Sequence, residues 1–281
     1  MSVRHRVRAA DSGPVPDRPA HLGERGQPAH PGRRGRPLRR RILRRSLIVV
    51  SALIFTGILA FAGLLLIAPS VGNAEALARA QDRAHHAAFP GPRFAAAIVA
   101  TEDHRFGYEP GIDPFAIARV SASWLTGGGV RDQGGATIYQ QLAKLLYTPG
   151  RSGAAVELEQ VSLAVKLFMT YSSQQILQMY SEVAYFGNGD YGLAAASCGY
   201  FGIPPRAMSW PQAALLAGLV QGPSADDPLQ HPVRARQREV HVIGRLAATG
   251  EITRQQARAA LAQPLARLIE NAGSAGGHCA A

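Results

Sequence analysis

One stretch of the chain is apolar without interruption. Residues 47–67 form a run of 21 residues that carries no charge. At about 1.5 Å of rise per residue, a helix of this length spans roughly 31 Å, which is the thickness of a bilayer's hydrocarbon core. A cleavable signal peptide is the alternative, but the 46 residues before the run and the run itself are both too long for one. The pattern therefore predicts a single transmembrane helix over residues 47–67.

After this stretch the hydrophobic pattern is helical almost throughout. Apolar residues recur at spacings of three and four, Gly and Pro separate the runs, and no segment alternates as a strand does. These features predict a mainly α domain over residues 73–265, followed by a flexible tail over residues 270–281. The predicted helices cover residues 73–88, 94–103, 114–125, 136–147, 154–170, 173–184, 190–200, 210–221, 232–248 and 252–264.

The positive charge of the chain lies mostly before the apolar stretch. Of the net charge of +11, residues 1–46 supply 13 Arg against three acidic residues, so the rest is nearly neutral. A nearly neutral globular part argues against nucleic acid as a partner. Residues 1–46 have too little apolar surface to fold, which predicts a disordered, Arg-rich tail. Arg next to the span places this tail in the cytoplasm and the domain outside; contact with anionic lipid is a further possibility.

Two segments carry candidate chemistry. Glu102 and Asp103 end a small, apolar run, and a carboxylate pair at a helix end suits general acid–base catalysis, although a solvated helix end is the alternative. Further on, Gly134 and Gly135 precede a helical run in which Gln141 and Lys144 share one face. Free backbone N–H groups and these side chains suit an anionic or hydroxyl-rich ligand, although the glycines could also form a simple turn.

These two segments together resemble glycosyltransferase family 51, the membrane-anchored peptidoglycan glycosyltransferases found alone or as the first domain of class A penicillin-binding proteins. The resemblance runs from about Phe94 to Leu261. The matched positions of the first two family motifs are Glu102, Asp103, Phe106 and Gly111, then Gly134, Gly135, Thr137, Gln140, Gln141 and Lys144. Later matches include Tyr171, Tyr180, Tyr185-Phe186-Gly187, Tyr191-Gly192 and Gly222-Pro223-Ser224.

The resemblance implies a lysozyme-like all-helical domain outside the cell membrane, behind a single N-terminal transmembrane helix. Its substrates would be lipid II and the nascent glycan strand, and other cell-wall synthesis proteins are candidate partners. Glu102 would be the general base, with a lipid pyrophosphate as leaving group. The resemblance assigns substrate binding to Asp103, Thr137, Gln140, Gln141 and Lys144, and Arg151 is added because it lies nearby.

Metal binding is less well supported. Neither cysteine, Cys198 or Cys279, has a second Cys or a His at ligand spacing, so the sequence predicts no metal site of its own. A divalent ion at the donor pyrophosphate is left open, because charge developing there must be met by cations or hydrogen-bond donors.

Several family positions are altered in this chain. Glu109 replaces the first motif's histidine, and Ala136 replaces the second motif's serine. The third motif, aligned by its distance to Tyr171, has Val156 and Glu157 at its two cationic positions and Gln160 at its glutamate. Loss of one pre-organised charge-stabilising group typically costs about 10²–10³ in rate.

Three hypotheses follow from the sequence. The chain is an active glycan-polymerising transferase; or it is a catalytically impaired relative that binds lipid II, glycan or cell-wall synthesis proteins; or it is a lysozyme-like enzyme that uses Glu102 as an acid. The third would release soluble fragments, so product analysis separates it from the first.

Overall fold

The structure is a computed structural model that describes residues 36–81, 89–113 and 136–269. The chain divides into two units, Met1–Ile54 and Phe55–Ala281, and every helix after the first belongs to the second unit. The described residues contain no strand, and the one β-type contact among them is an isolated bridge between Tyr185 and Tyr191. The predicted mainly α fold is therefore confirmed.

The first helix is the candidate membrane span. Helix α1 covers Arg36–Ile67, and its part Arg41–Ile67 is long and apolar enough to cross a membrane, by length and composition. Large apolar side chains along it, such as Ile48 and Phe55, are exposed. The helix begins eleven residues before the predicted start because Arg and Leu are good helix formers, so the Arg-rich segment extends it.

Ten further α-helices follow among the described residues. They are α2 (Ala74–Gln81), α3 (Gly91–Glu102), α4 (Ile138–Tyr147), α5 (Ala154–Thr170), α6 (Ser173–Val183), α7 (Leu193–Phe201), α8 (Trp210–Leu219), α9 (Pro232–Ala248), α10 (Arg254–Leu261) and α11 (Leu265–Leu268). A 3-10 turn covers Pro205–Ala207. The predicted helix over 114–125, the end of the first predicted helix at 82–88 and the tail over 270–281 lie outside the described residues.

Helix α8 forms the centre of the core. Eight of its ten residues are buried, and it packs against α3 and α9. Such all-round burial explains why its sequence is apolar on every face. Helix α3 also contacts α9, and the Arg245 side chain donates a hydrogen bond of 3.0 Å to the Ala100 carbonyl near the end of α3. These contacts fix the end of α3, where the first candidate motif lies.

Helices α4, α5 and α6 form the other wall of the domain. Helix α4 packs against both α5 and α6. Three side chains of this wall also hold the segment that follows α1. Lys166 donates to the carbonyls of Ala68 and Pro69, Tyr171 donates to the carbonyl of Val71, and Tyr147 donates to the side chain of Asn73.

Candidate active site

A cavity of about 410 Å³ opens beside the C-terminal end of α3. Residues from α3, α4, α6 and the segments after α6 and α8 line it, so it lies where several elements end together. The lining residues are Thr101, Glu102, Ala136, Gln141, Lys144, Leu145, Tyr180, Ala184, Tyr185, Val220, Gln221 and Pro223.

Glu102 is the last residue of α3, and the two oxygens of its carboxylate differ. Oε2 accepts a hydrogen bond of 2.9 Å from the Nε2 atom of Gln141. Oε1 is buried and has no hydrogen-bond partner among the described residues. A buried acceptor without a partner is costly, which makes it a good place for a ligand's proton donor. The two motifs thus meet in a direct contact between Glu102 and Gln141.

Asp103 faces away from this cavity. Its side chain is buried, and Oδ2 accepts a hydrogen bond of 3.2 Å from the backbone N–H of Ile138, the first residue of α4. Burial raises the pKa of Asp103 to about 6, and the Ile138 hydrogen bond opposes that rise. Asp103 therefore joins the end of α3 to the start of α4, which brings Gln141 to Glu102.

Thr137 and Gln140 begin helix α4 with reciprocal hydrogen bonds. The Thr137 hydroxyl accepts from the Gln140 N–H at 3.2 Å, and the Gln140 side chain accepts from the Thr137 N–H at 2.9 Å. Such a capping box satisfies N–H groups that the first turn leaves free. The Thr137 hydroxyl also donates to the Gly111 carbonyl at 2.7 Å. Gly111 has φ +78°, and a Cβ there would lie 2.5 Å from the Ala164 carbonyl oxygen, so the close approach requires glycine.

Two of the predicted cationic groups have different surroundings. Lys144 lines the cavity, is exposed, and forms no ion pair within residues 36–81, 89–113 and 136–269. Arg151 is absent from the cavity wall. Its guanidinium instead makes a two-point contact with Glu159, at 2.9 Å and 3.4 Å. The structure brings together Glu102, Gln141 and Lys144, but not Arg151.

The altered family positions also separate into two groups. Ala136 lines the main cavity. Glu109 is buried in a small neighbouring pocket, where it pairs with Arg105 at 2.5 Å. Burial and the charge of Asp113 raise the pKa of Glu109, and Arg105 opposes this.

The aligned third motif lies at the start of α5, outside the cavity wall. Val156 is half-buried, Glu157 is exposed, and the Gln160 side chain donates to the Thr148 hydroxyl at 2.8 Å. Gln160 thus ties α5 to the end of α4. Gln160 is not among the described residues that line the cavity with Glu102.

Sequence reasoning missed several cavity residues. Tyr180, Tyr185 and Pro223 were quoted in the resemblance without a role, and Gln221 was not singled out. The wall formed by Tyr185 and Pro223 depends on Gly187, because a Cβ there would lie 2.6 Å from the Pro223 carbonyl oxygen. The family spacing was the available signal, but it does not say which side chains meet.

Comparison with known proteins identifies the family of the helical domain. The family model described as Transglycosylase matches residues 74–247, which is more than half of the chain. This chain belongs to the transglycosylase family. The match includes α3, α4 and α6, and so covers the residues that supply Glu102, Gln141, Lys144 and Tyr180.

Individual relatives of this transglycosylase chain are similar over its helical domain. Penicillin-binding protein 1A of Aquifex aeolicus is 39% identical over 175 residues, which are 62% of this chain and 24% of the relative. A Cupriavidus necator protein named as a candidate transglycosylase is 35% identical over 60% of this chain and 72% of the relative. A crystal structure of penicillin-binding protein 1A from Haemophilus influenzae has a TM-score of 0.32 and 26% identity, and covers 46% of this chain and 16% of that one. The chain thus spans about a quarter of the Aquifex relative.

Proposed function

We propose that this chain is a membrane-anchored peptidoglycan glycosyltransferase that polymerises lipid II into glycan strands, with Glu102 as the general base. The observation that carries the proposal is the asymmetry of the Glu102 carboxylate. Oε2 is held by Gln141, whereas Oε1 is buried and has no hydrogen-bond partner among the described residues. Glu102 itself lines the cavity. An oxygen in this state is suited to accept the proton of an incoming hydroxyl group.

The proposed reaction gives different roles to two residues of the cavity wall, Glu102 and Lys144. Glu102 Oε1 takes the proton from the 4-hydroxyl of the acceptor sugar while that oxygen bonds to the anomeric carbon of the donor. The bond from that carbon to the lipid pyrophosphate breaks, and its electron pair leaves with the pyrophosphate. Lys144 is the cation that the cavity wall offers to this developing charge.

The proposed location follows from α1. Arg side chains crowd the N-terminal side of the candidate span, and this arrangement favours an N-terminus in the cytoplasm. The helical domain would then lie outside the cell membrane, where lipid-linked sugar and the growing strand are its proposed partners. Protease accessibility in sealed, right-side-out spheroplasts tests this orientation: the helical domain should be digested and the Arg-rich tail protected.

The first test is lipid II polymerisation by the full-length protein in detergent, compared with Glu102→Gln. Removing a general base lowers rates by about 10²–10⁴, so we expect glycan chains from the wild type and almost none from the variant. Glu251→Gln is the matched control, because Glu251 is an exposed glutamate outside the cavity wall and outside the quoted motifs, and it should keep activity. Soluble fragments cut from preformed glycan would instead support a glycan-cleaving enzyme.

The need for a divalent ion is tested separately. Among the described residues no group of three His, Cys, Asp or Glu could hold a metal ion. The described side chains therefore do not fit a resident metal site, and no step of the proposed reaction passes through one. Polymerisation with and without Mg²⁺ measures whether an ion bound by the pyrophosphate itself is needed.

A second candidate function is that of an impaired relative which binds lipid II or glycan without polymerising it. The observation that favours it is the scarcity of cations at the cavity. Among the described residues, Lys144 is the one cationic residue on the cavity wall. Arg151 is not on this wall and is paired with Glu159. A folded wild type that binds lipid II but makes no glycan would contradict the transferase and favour this module.

A further inference from the structure

Three side chains from three helices form a continuous hydrogen-bonded chain that ends at Glu102. The Tyr180 hydroxyl on α6 donates to Oε1 of Gln141 on α4 at 2.8 Å. The Gln141 amide donates from Nε2 to Glu102 Oε2 on α3 at 2.9 Å. Both contacts join residues 39 positions apart, so they depend on the packing of α4 against α6 and on the approach of α3 to α4.

The chemistry of the groups fixes the direction of this chain. An ionised carboxylate can only accept hydrogen bonds, so Gln141 must turn its NH₂ group towards Glu102 and its carbonyl oxygen towards Tyr180. Tyr180 can meet that oxygen only as a donor. Burial, together with the nearby charge of Glu102, raises the pKa of Tyr180 well above its ordinary value, so its hydroxyl keeps its proton.

We propose that Tyr180 is a positioning residue that acts on Glu102 through Gln141. By holding the Gln141 oxygen, the Tyr180 hydroxyl fixes the rotation of the amide, and the amide holds Glu102 Oε2 so that Oε1 stays free. This inference rests on the proposed function of Glu102 and extends it to a residue that is linked to the carboxylate through Gln141.

The alternative role for Tyr180 is packing alone. Its ring is 1% exposed, so it contributes to the core whatever its hydroxyl does. Tyr180→Phe separates these roles, because it keeps the ring and removes the hydroxyl. Tyr171→Phe is a matched control: the Tyr171 hydroxyl donates to the Val71 carbonyl at 2.9 Å, away from the cavity.

The first experiment does not depend on activity. In full-length protein labelled with ¹⁵N-glutamine in detergent micelles, the side-chain amide signal of Gln141 is identified by its loss in Gln141→Ala. Hydrogen exchange at this amide should be at least tenfold faster in Tyr180→Phe than in the wild type, and unchanged in Tyr171→Phe. Equal exchange in the wild type and Tyr180→Phe would overturn the positioning role.

The second experiment is a double-mutant cycle on lipid II polymerisation. Tyr180→Phe should lower kcat about tenfold with little change in KM, and it should cause no further loss in a Gln141→Ala background. Equal loss in both backgrounds would show that Tyr180 acts by another route. If the wild type makes no glycan, the proposed function fails, while the exchange experiment still decides whether Tyr180 positions Gln141.

Discussion

Two pockets meet at Glu102, the last residue of α3, and they differ in how their charged groups are paired. The cavity of about 410 Å³ is lined by Glu102 and Lys144; within the described residues Glu102 Oε1 has no hydrogen-bond partner and Lys144 forms no ion pair. The neighbouring pocket of about 40 Å³ contains Arg105, whose guanidinium pairs with both Glu109 and Asp113 at 2.5 Å. Charges compensated within the protein support the fold, whereas polar groups left open are available to a ligand.

Replacing Lys144 tests the open side of this comparison. Lys144→Met should lower polymerisation by about 10²–10³, the usual cost of losing one charge-stabilising group, and leave thermal unfolding unchanged because the side chain is exposed. The other lysine of the chain is the control. Lys166→Met removes hydrogen bonds to the Ala68 and Pro69 carbonyls, so it should lower the free energy of unfolding by about 1–2 kcal/mol and affect the reaction far less. Equal losses of activity in the two variants would contradict the comparison.

Replacing Arg105 tests the compensated side. Arg105→Met leaves Glu109 and Asp113 without their shared cation; their side chains are 7% and 15% exposed. Breaking a buried ion pair typically costs 3–5 kcal/mol, and because the guanidinium is 33% exposed we expect about 3 kcal/mol, measured by urea unfolding. Arg151→Met removes a pair whose guanidinium is 53% exposed, and should cost less than about 1 kcal/mol. Similar losses in the free energy of unfolding for the two variants would show that the ion pairs of Arg105 stabilise the fold no more than an exposed ion pair does.

The helices were predictable because their signals are local. The predicted helix over 154–170 agrees with α5, and that over 232–248 agrees with α9. The predicted helix over 210–221 corresponds to α8, which ends two residues earlier, at Leu219. Helix α4 begins at Ile138 rather than at residue 136, because Thr137 is its cap.

The site was predictable only in part. Glu102, Gln141 and Lys144 were named from motif positions, and they line one cavity. The contact between Tyr180 and Gln141 joins residues far apart in sequence, and periodicity carries no information on it. The pattern of Thr137 followed three residues later by Gln140 is a local capping signal, yet the resemblance directed attention to substrate binding.

The pH dependence of stability tests Asp103, which lines the smaller pocket. Its pKa is about 6 in the folded protein against 3.8 ordinarily, so the folded state binds the proton more tightly. Stability should therefore fall as pH rises through this range, and the contribution between pH 4.5 and pH 7 is about 2 kcal/mol. Asp103→Asn keeps an oxygen for the Ile138 N–H and removes this contribution.

The measurement is urea unfolding of both proteins at pH 4.5 and pH 7. Burial also raises the pKa of Asp190 to about 6, so the wild-type curve contains a second contribution that the variant retains. The decisive quantity is thus the difference between Asp103→Asn and the wild type, which should grow in favour of the variant as pH rises. A difference that is the same at both pH values would contradict the role of burial at Asp103.

The smallest expected effect distinguishes two neighbouring glutamines, Gln140 and Gln141. The Gln140 side chain is used by the helix cap, where it accepts from the Thr137 N–H at 2.9 Å, whereas Gln141 lines the cavity. Gln140→Ala should lower the free energy of unfolding by about 1 kcal/mol, the net value of one hydrogen bond, and reduce polymerisation less than threefold. Gln256→Ala removes the same reciprocal bond from the cap of α10 and should cost a similar amount. A loss of activity in Gln140→Ala as large as that in Gln141→Ala would mean that Gln140 contacts the substrate. Gln140 would then belong to the substrate site as well as to the helix cap.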